Sequence, residues 1–290
     1  MKPFDYVQPK DISELMEALQ TPGCRILAGG TDLLPRIHSG DLHPSLVVDI
    51  SMIKELAVIE ETPDSLVIGA LATFSSLLKQ EFLQQYTPSL SEAIRLIGAP
   101  MTRARGTIGG NIANASPAGD TLTPLLTYDA RISLLGKDGT RVLPLQGFLL
   151  GPGQNALLPG EIIQEIVINK PSGRWGSSFQ KLGPRTGMTI AIVNTAVFMV
   201  LDQQGRVSEA RLALGAVAPT PLRCKETEKM LQGAQIEKLD WEALQESIQL
   251  EIKPIDDLRG TKTYRNTLVK TLIKRAILDA YGTAKLRALK

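Results

Sequence analysis

The run Thr107-Ile108-Gly109-Gly110-Asn111-Ile112-Ala113-Asn114-Ala115-Ser116-Pro117-Ala118-Gly119-Asp120 constrains this chain more than any other stretch. It sets two adjacent glycines, then small and amide side chains, then one carboxylate, in an order with no helical or strand period and almost no bulk. Paired glycines leave peptide N–H groups uncovered and free to take positive φ, so such a loop can wrap an anion and donate main-chain hydrogen bonds. A second run of the same character, Ala28-Gly29-Gly30-Thr31-Asp32, stands far upstream, directly after an apolar β-like segment. Adjacent glycines also serve as plain tight turns, and either pair alone is open to that reading. Two of them in one chain can clamp a single pyrophosphate. The dinucleotide fingerprint G-x-G-x-x-G is absent at both places and no G-x-x-x-x-G-K-[ST] occurs, so a nucleotide here is not held by a Rossmann or P-loop site.

A length of 290 residues sets an expectation of one or two domains, and 43% hydrophobic residues suffice for a real core. A net charge of +2 points neither to nucleic acid nor to an anionic membrane. The first ten residues are polar, without the apolar core of a signal peptide, and no apolar stretch approaches membrane-spanning length, so a soluble, cytoplasmic protein is expected. Cys24 and Cys224 cannot build a disulfide framework and fall short of the four thiolates an iron–sulfur cluster takes; each is read as a buried or reduced thiol. His38 and His43 stand in a polar loop without an acidic or cysteine partner pattern, so no metal is expected. No Ser/His/Asp spacing suggests nucleophilic catalysis.

Along the chain, Asp11 with Glu14 three residues on marks a helix start, and Ile12, Leu15, Met16 and Leu19 give its apolar stripe. Cys24–Leu27 and Leu46–Ile50 read as short buried strands. Leu56–Glu60 and Leu66–Gly69 read as strands around the turn Thr62-Pro63-Asp64-Ser65. Thr73 caps a helix carrying Phe74, Leu77 and Leu78, and Leu90, Ala93, Ile94 and Ile97 form another stripe. Asp120-Thr121 opens a helix through Leu125-Leu126. Ala130–Leu135 and Arg141–Leu145 form a hairpin about Lys137-Asp138-Gly139, and Glu161–Ile168 is a strand. After Pro171-Ser172-Gly173 the pattern changes. Ser177–Lys181, Thr189–Leu201 and Ser208–Val217 predict a three-stranded antiparallel sheet, followed by helices at about 223–231, 240–248 and 261–281.

At this point the residues carry a resemblance. Arg25-Ile26-Leu27-Ala28-Gly29-Gly30-Thr31-Asp32-Leu33-Leu34-Pro35 and Thr107-Ile108-Gly109-Gly110-Asn111-Ile112-Ala113 resemble the two FAD-binding segments in the FAD (medium) subunit of molybdenum hydroxylases, the xanthine dehydrogenase and carbon monoxide dehydrogenase family. The likeness spans nearly the whole chain, including Phe4-Asp5-Tyr6-Val7-Gln8-Pro9, Glu161-Ile162-Ile163, Phe179-Gln180-Lys181 and Ala218-Pro219-Thr220-Pro221-Leu222-Arg223. It implies an α+β fold. A two-lobed FAD-binding domain of the PCMH or vanillyl-alcohol-oxidase type would occupy 1–172, with lobes at about 1–54 and 55–172. A C-terminal α+β domain, a three-stranded sheet packed with helices, would occupy 173–290.

The same resemblance implies noncovalent FAD held by Leu27, Ala28, Gly29, Gly30, Thr31, Asp32 and Leu33 in the first segment and by Thr107, Ile108, Gly109, Gly110 and Asn111 in the second. Asp120 would be a polar anchor; its residue type serves equally as a helix N-cap, and the two roles are compatible. Ile162 would contact the cofactor through its backbone, and Lys181, by default a surface lysine, would lie close to the flavin ring. Ile97, by default a core residue, falls where the family often sets a side chain against that ring. Met188 stands where the family commonly carries an acidic residue, a departure that bears on the nicotinamide entrance.

The activity implied is a relay. A partner with a molybdenum cofactor hydroxylates a substrate, a second partner with two 2Fe-2S clusters passes electrons on, and the FAD of this chain delivers them to NAD or another acceptor. Two other readings stay open: a free-standing flavin oxidoreductase of the same fold, and a cofactor-free structural subunit. Colour, FAD released on denaturation, and co-purifying iron and molybdenum separate the three.

Overall fold

Strand pairing in the computed structural model, which describes residues 2–185 and 187–287, sorts the chain into successive sheets. The first is parallel: β1 (Asp5–Val7), β2 (Arg25–Leu27) and β3 (Leu46–Asp49) lie in the order β1-β3-β2. Parallel neighbours need crossovers, and the helices Ile12–Ala18 and Leu33–Ser39 supply them. Asp11 caps the first of these, its carboxylate accepting from the Glu14 N–H at 2.9 Å. Leu15, Val48, Ile50, Ile53 and Leu56 make this lobe's core, which reaches Leu71 and Ile162 of the next.

The second sheet is antiparallel. β4 (Ile59–Glu61), β5 (Ser65–Gly69), β6 (Arg131–Gly136) and β7 (Gly139–Pro144) are joined, after the small pair β8 (Leu149–Gly151) and β9 (Gln154–Asn155), by β10 (Ile162–Asn169), in the order β4-β5-β10-β6-β7. The β6–β7 turn is the two-residue loop Lys137-Asp138, with Gly139 at φ +118°. Helices between Phe74 and Thr127 cover one face with Phe74, Leu90, Ile94, Ile108, Ile112 and Leu125. Leu56 falls in the 3-10 turn Lys54–Ala57 rather than in a strand, so β4 starts three residues later than the sequence pattern suggests.

The third sheet holds β11 (Arg174–Leu182), β12 (Val193–Leu201), β13 (Val207–Gly215) and β14 (Leu222–Arg223) in sequential order, all antiparallel. The expected three strands gain a fourth because Leu222 and Arg223 pair with Leu214 and Ala213 before the next helix begins at Lys225. The helix Lys262–Arg287 packs its Val269, Leu272, Ile273, Ala276 and Ile277 on this sheet. Gly176 of β11 permits that contact: a Cβ there would lie 2.0 Å from the Ala280 carbonyl oxygen. Trp175, Phe198 and Ala213 continue the core of the second sheet into the third, with Tyr128 edge-on to Phe198 at 5.7 Å. Among the described residues no helix is long and apolar enough to cross a membrane.

Candidate cofactor site

The two glycine pairs line one cavity, and the first packs closely on backbone that leads into the second. A Cβ on Gly29 would stand 2.0 Å from the Arg105 carbonyl oxygen, so only glycine lets the first loop press on the Arg105-Gly106 backbone that leads into the second. Gly109 is set closely on Ala70, where a Cβ would lie 2.5 Å from the Ala70 Cβ. Of these four glycines Gly30 alone takes positive φ, at +73°. Asn114 Nδ2 and Asp32 Oδ1, 3.5 Å apart, add a side-chain link between the segments.

The second pair does not form the open loop that its sequence suggests. It lies in the first turn of a helix, Ile108–Asn114, capped by Thr107, whose Oγ1 accepts from the Gly110 N–H at 3.1 Å. The N–H groups of Ile108 and Gly109 donate to Ala72 and Ala70, and that of Asn111 to Thr107. The first pair is different. The N–H groups of Gly29, Gly30, Thr31, Asp32 and Leu33 donate to no acceptor among the described residues, and all five residues line the same cavity.

That cavity, of about 540 Å³, is bounded by Ala28–Leu33 on one side and Thr107, Gly109, Gly110 and Asn111 on the other. Such a volume falls within the range of small-molecule and cofactor pockets. Ile26, Ile50, Leu71, Phe74, Ile97, Ile162 and Ile163 supply apolar wall suited to flat rings. Free main-chain donors beside apolar wall fit a dinucleotide, with its diphosphate on the first loop. Ile162, at the start of β10, is buried. Leu27 and Ile108 do not line the cavity.

Asp120 and Lys181 also stay out of its wall, but they stand together. Lys181 Nζ is 2.5 Å from Asp120 Oδ2, Asn194 Nδ2 donates to Asp120 Oδ1 at 3.0 Å, and Thr123 Oγ1 donates to Asn194 Oδ1 at 3.2 Å. The lysine side chain is 4% exposed, so it is no surface lysine. Its Nζ also donates to the Leu96 carbonyl at 3.3 Å, beside Ile97 of the cavity wall. Asp120 makes no helix cap: the helix Leu122–Thr127 starts at Thr121 without a side-chain cap bond. Burial pushes the Asp120 carboxyl above its ordinary value, against the charge and hydrogen bond of Lys181 and the hydrogen bond of Asn194. Thr121 Oγ1 donates to Asn111 Oδ1 at 2.6 Å and so ties this cluster to the cavity.

Several wall residues carry no sequence signal. Pro152-Gly153 is a turn dipeptide, but nothing in it says that Gly153 and then Leu157 face a cavity. Cys24, His38 and His43 are not in the wall. Met188 is exposed with φ +47°, on a loop where Arg185 donates to the Gly187 and Met188 carbonyls.

Residues 2–171 match the family described as FAD binding domain in molybdopterin dehydrogenase, and residues 178–280 match the CO dehydrogenase flavoprotein C-terminal domain. The chain is 34% identical over 287 residues to the xanthine dehydrogenase FAD-binding subunit of Escherichia coli O157:H7, covering 97% of this chain and 98% of that one. It is 34% identical to the carbon monoxide dehydrogenase medium chain of Hydrogenophaga pseudoflava, with 96% and 97% covered. The solved carbon monoxide dehydrogenase from Hydrogenophaga pseudoflava, in a form that lacks the Mo-pyranopterin moiety, superposes with a TM-score of 0.93 at 34% identity, covering 98% of this chain and 99% of that one. Quinoline 2-oxidoreductase from Pseudomonas putida 86 does so at 0.90 and 27% identity, covering 98% and 99%. The chain belongs to the family of FAD-binding subunits of molybdenum-containing hydroxylases that includes the xanthine and carbon monoxide dehydrogenases.

Proposed function

We propose that this chain holds FAD noncovalently across its two glycine segments and works as an electron-transfer subunit. It takes electrons from the 2Fe-2S clusters of one partner, in a complex whose other partner carries the molybdenum cofactor, and passes them to NAD or another acceptor. The observation that carries the reading is the row of five acceptor-free N–H groups, Gly29 to Leu33, along one wall of the cavity. The relatives' names as FAD-binding subunit and medium chain support a place in a heteromeric complex. Noncovalent binding is supported by the position of Cys24, His38 and His43 outside the wall. Two free thiols suit a cytoplasmic setting.

When bound, FAD supplies hydride and one-electron chemistry in its own ring. The chain's residues then have four tasks. The Gly29–Leu33 amides offer hydrogen bonds to the diphosphate, as uncovered consecutive N–H groups do for anions. Gly109, with no Cβ, lets the helix behind the second segment sit on Ala70, and exposed Gly110 presents bare backbone to the cavity. Ile97, Ile162 and Ile163 exclude water from the rings. Lys181, held by Asp120, fixes the Leu96 carbonyl and thereby the turn that carries Ile97.

The test is an absorbance spectrum of the protein purified alone, followed by FAD titration and anaerobic mixing with NADH. A flavin spectrum bleached by NADH supports both the site and the acceptor. Bleaching by dithionite alone keeps the site and removes NAD. No flavin uptake by the chain alone or in complex with its partners overturns the reading.

A further inference from the structure

One part of the cavity wall is a strap with no regular structure. Between β9 and β10 the chain passes through Ala156, Leu157, Leu158, Pro159 and Gly160, and Leu157 lines the cavity. Its near end is fastened to the helix Ile108–Asn114: Gly153 N–H donates to the Ala115 carbonyl at 3.1 Å, and Asn155 Nδ2 to the Ala113 carbonyl at 2.7 Å. Within the strap the Ala156 N–H donates to the Phe148 carbonyl, the Glu161 N–H to the Leu158 carbonyl and the Leu157 N–H to Asn155 Oδ1, each at 3.0 Å, and one guanidinium adds a further set of bonds from outside. Arg141 Nε donates to Glu161 Oε1 at 2.7 Å, and Arg141 Nη2 donates both to Glu161 Oε2 at 2.7 Å and to the Ala156 carbonyl at 2.6 Å. Glu161 Oε2 also accepts from the Leu158 N–H at 2.7 Å. A single side chain thus reaches both ends of 156–161 and its carboxylate partner the middle, beside the Phe148 and Asn155 contacts.

Arg141 itself lies on β7, the edge strand of its sheet, and does not line the cavity. The β6–β7 hairpin is already paired in register from Arg131 with Pro144 to Gly136 with Gly139, so the strand does not depend on this guanidinium for its place. A bidentate pair of this kind is both directional and stronger than a neutral hydrogen bond. Its reach is to the strap.

We infer that Arg141 is a positioning residue for the cofactor: through Glu161 and the Ala156 carbonyl it holds Leu157 against the cavity, and so sets how fast bound FAD leaves. The inference rests on the reading of the cavity as an FAD site. On this reading release lifts the strap, and lifting it breaks the Arg141 contacts, which places their strength in the dissociation rate.

The experiment loads wild type, Arg141→Gln and Arg141→Lys with FAD and follows release by flavin fluorescence after dilution. Amide hydrogen exchange at Leu157 and Leu158 and the melting temperature are read on the FAD-free proteins. Arg141→Gln is expected to release FAD roughly tenfold faster, the size of one lost charge-assisted hydrogen bond, with faster exchange at both amides and a near-wild-type melting temperature. Lysine, a point charge without the planar fork, is expected to recover part of the retention. Release at the wild-type rate from a folded Arg141→Gln overturns the inference, as does a melting temperature that falls in step with retention across the variants. If Arg141→Gln does not fold, the same comparison rests on Arg141→Lys. Wild type that takes up no FAD, either alone or in complex with its partners, overturns the site reading and this inference together, whereas uptake with unchanged release overturns the inference alone.

Discussion

Lys181 and Asn194 stand directly opposite each other in the β11–β12 register, and both side chains end on Asp120, a residue of the segment that follows the second glycine pair. Cross-strand partners share a face of the sheet, so two groups from the C-terminal sheet close on one carboxylate of the preceding lobe. The contact buries the charge of both partners.

Replacing Lys181 by Met therefore leaves Asp120 buried with Asn194 alone. At neutral pH the expected loss is about 3 to 5 kcal/mol, typical of breaking a buried pair by removing one partner. Its pH dependence has a definite sign. Burial already holds the Asp120 carboxyl above its ordinary value, and Lys181 is the main opposing influence. Without it the folded state keeps the proton at pH values where the unfolded chain has lost it, so stability falls as pH rises through that window. Urea unfolding from about pH 4 to about pH 8 should show the variant's deficit shrinking toward acid; a deficit constant with pH contradicts this account.

Gly29→Ala forces the Arg105 carbonyl away from a Cβ that would otherwise lie 2.0 Å from it. Backbone cannot swing aside as a side-chain end can, so the two segments separate. Destabilisation of roughly 1 to 3 kcal/mol is expected, the usual range for overpacking, together with weaker FAD uptake. Thermal melting and FAD titration measure the two effects.

Thr107→Ala removes the cap on the helix Ile108–Asn114, because Thr107 Oγ1 accepts the Gly110 N–H. The expected cost is about 1 kcal/mol. Chemical denaturation of the FAD-free protein is the direct measurement, and Thr107→Ser should restore most of the loss.

The two cysteines should differ in reactivity. Burial pushes the Cys224 thiol well above its ordinary value, and Glu251 and Glu228 push the same way, whereas Cys24 is half-buried beside the first glycine segment. Only the thiolate reacts readily. Alkylation followed by mass spectrometry should label Cys24 in the native protein and Cys224 only with unfolding; equal labelling under native conditions would show that the Cys224 environment is open.

Much of the fold is legible in residue order because its signals are local. Asp11 and Thr73 cap the helices expected of them, the expected hairpin turns at Lys137-Asp138 with Gly139 opening its second strand, and the apolar run ending at Leu201 is an interior strand of the C-terminal sheet. The four residues Thr189–Ile192 drop out of that strand because its pairing with β11 begins only at Leu182 with Val193. Leu222-Arg223 gives no strand signal, since two residues carry no period, and pairing with β13 is what makes them one.

The sequence by itself singled out two glycine pairs, far apart along the chain, as candidates for close backbone approach beside the plain-turn reading, and its family resemblance pointed to FAD as the ligand. Tertiary structure decided what each pair comes close to. Gly29 meets Arg105 and Gly109 meets Ala70, contacts between residues distant in order; the second pair spends its N–H groups on Ala70 and Thr107, while those of the first donate to no acceptor among the described residues. The side-chain supports were decided at the same level: Lys181 on Asp120, and Arg141 on Glu161. A residue type states which bond a side chain can make. Packing, which brings sheets from different parts of the chain into register, selects the partner.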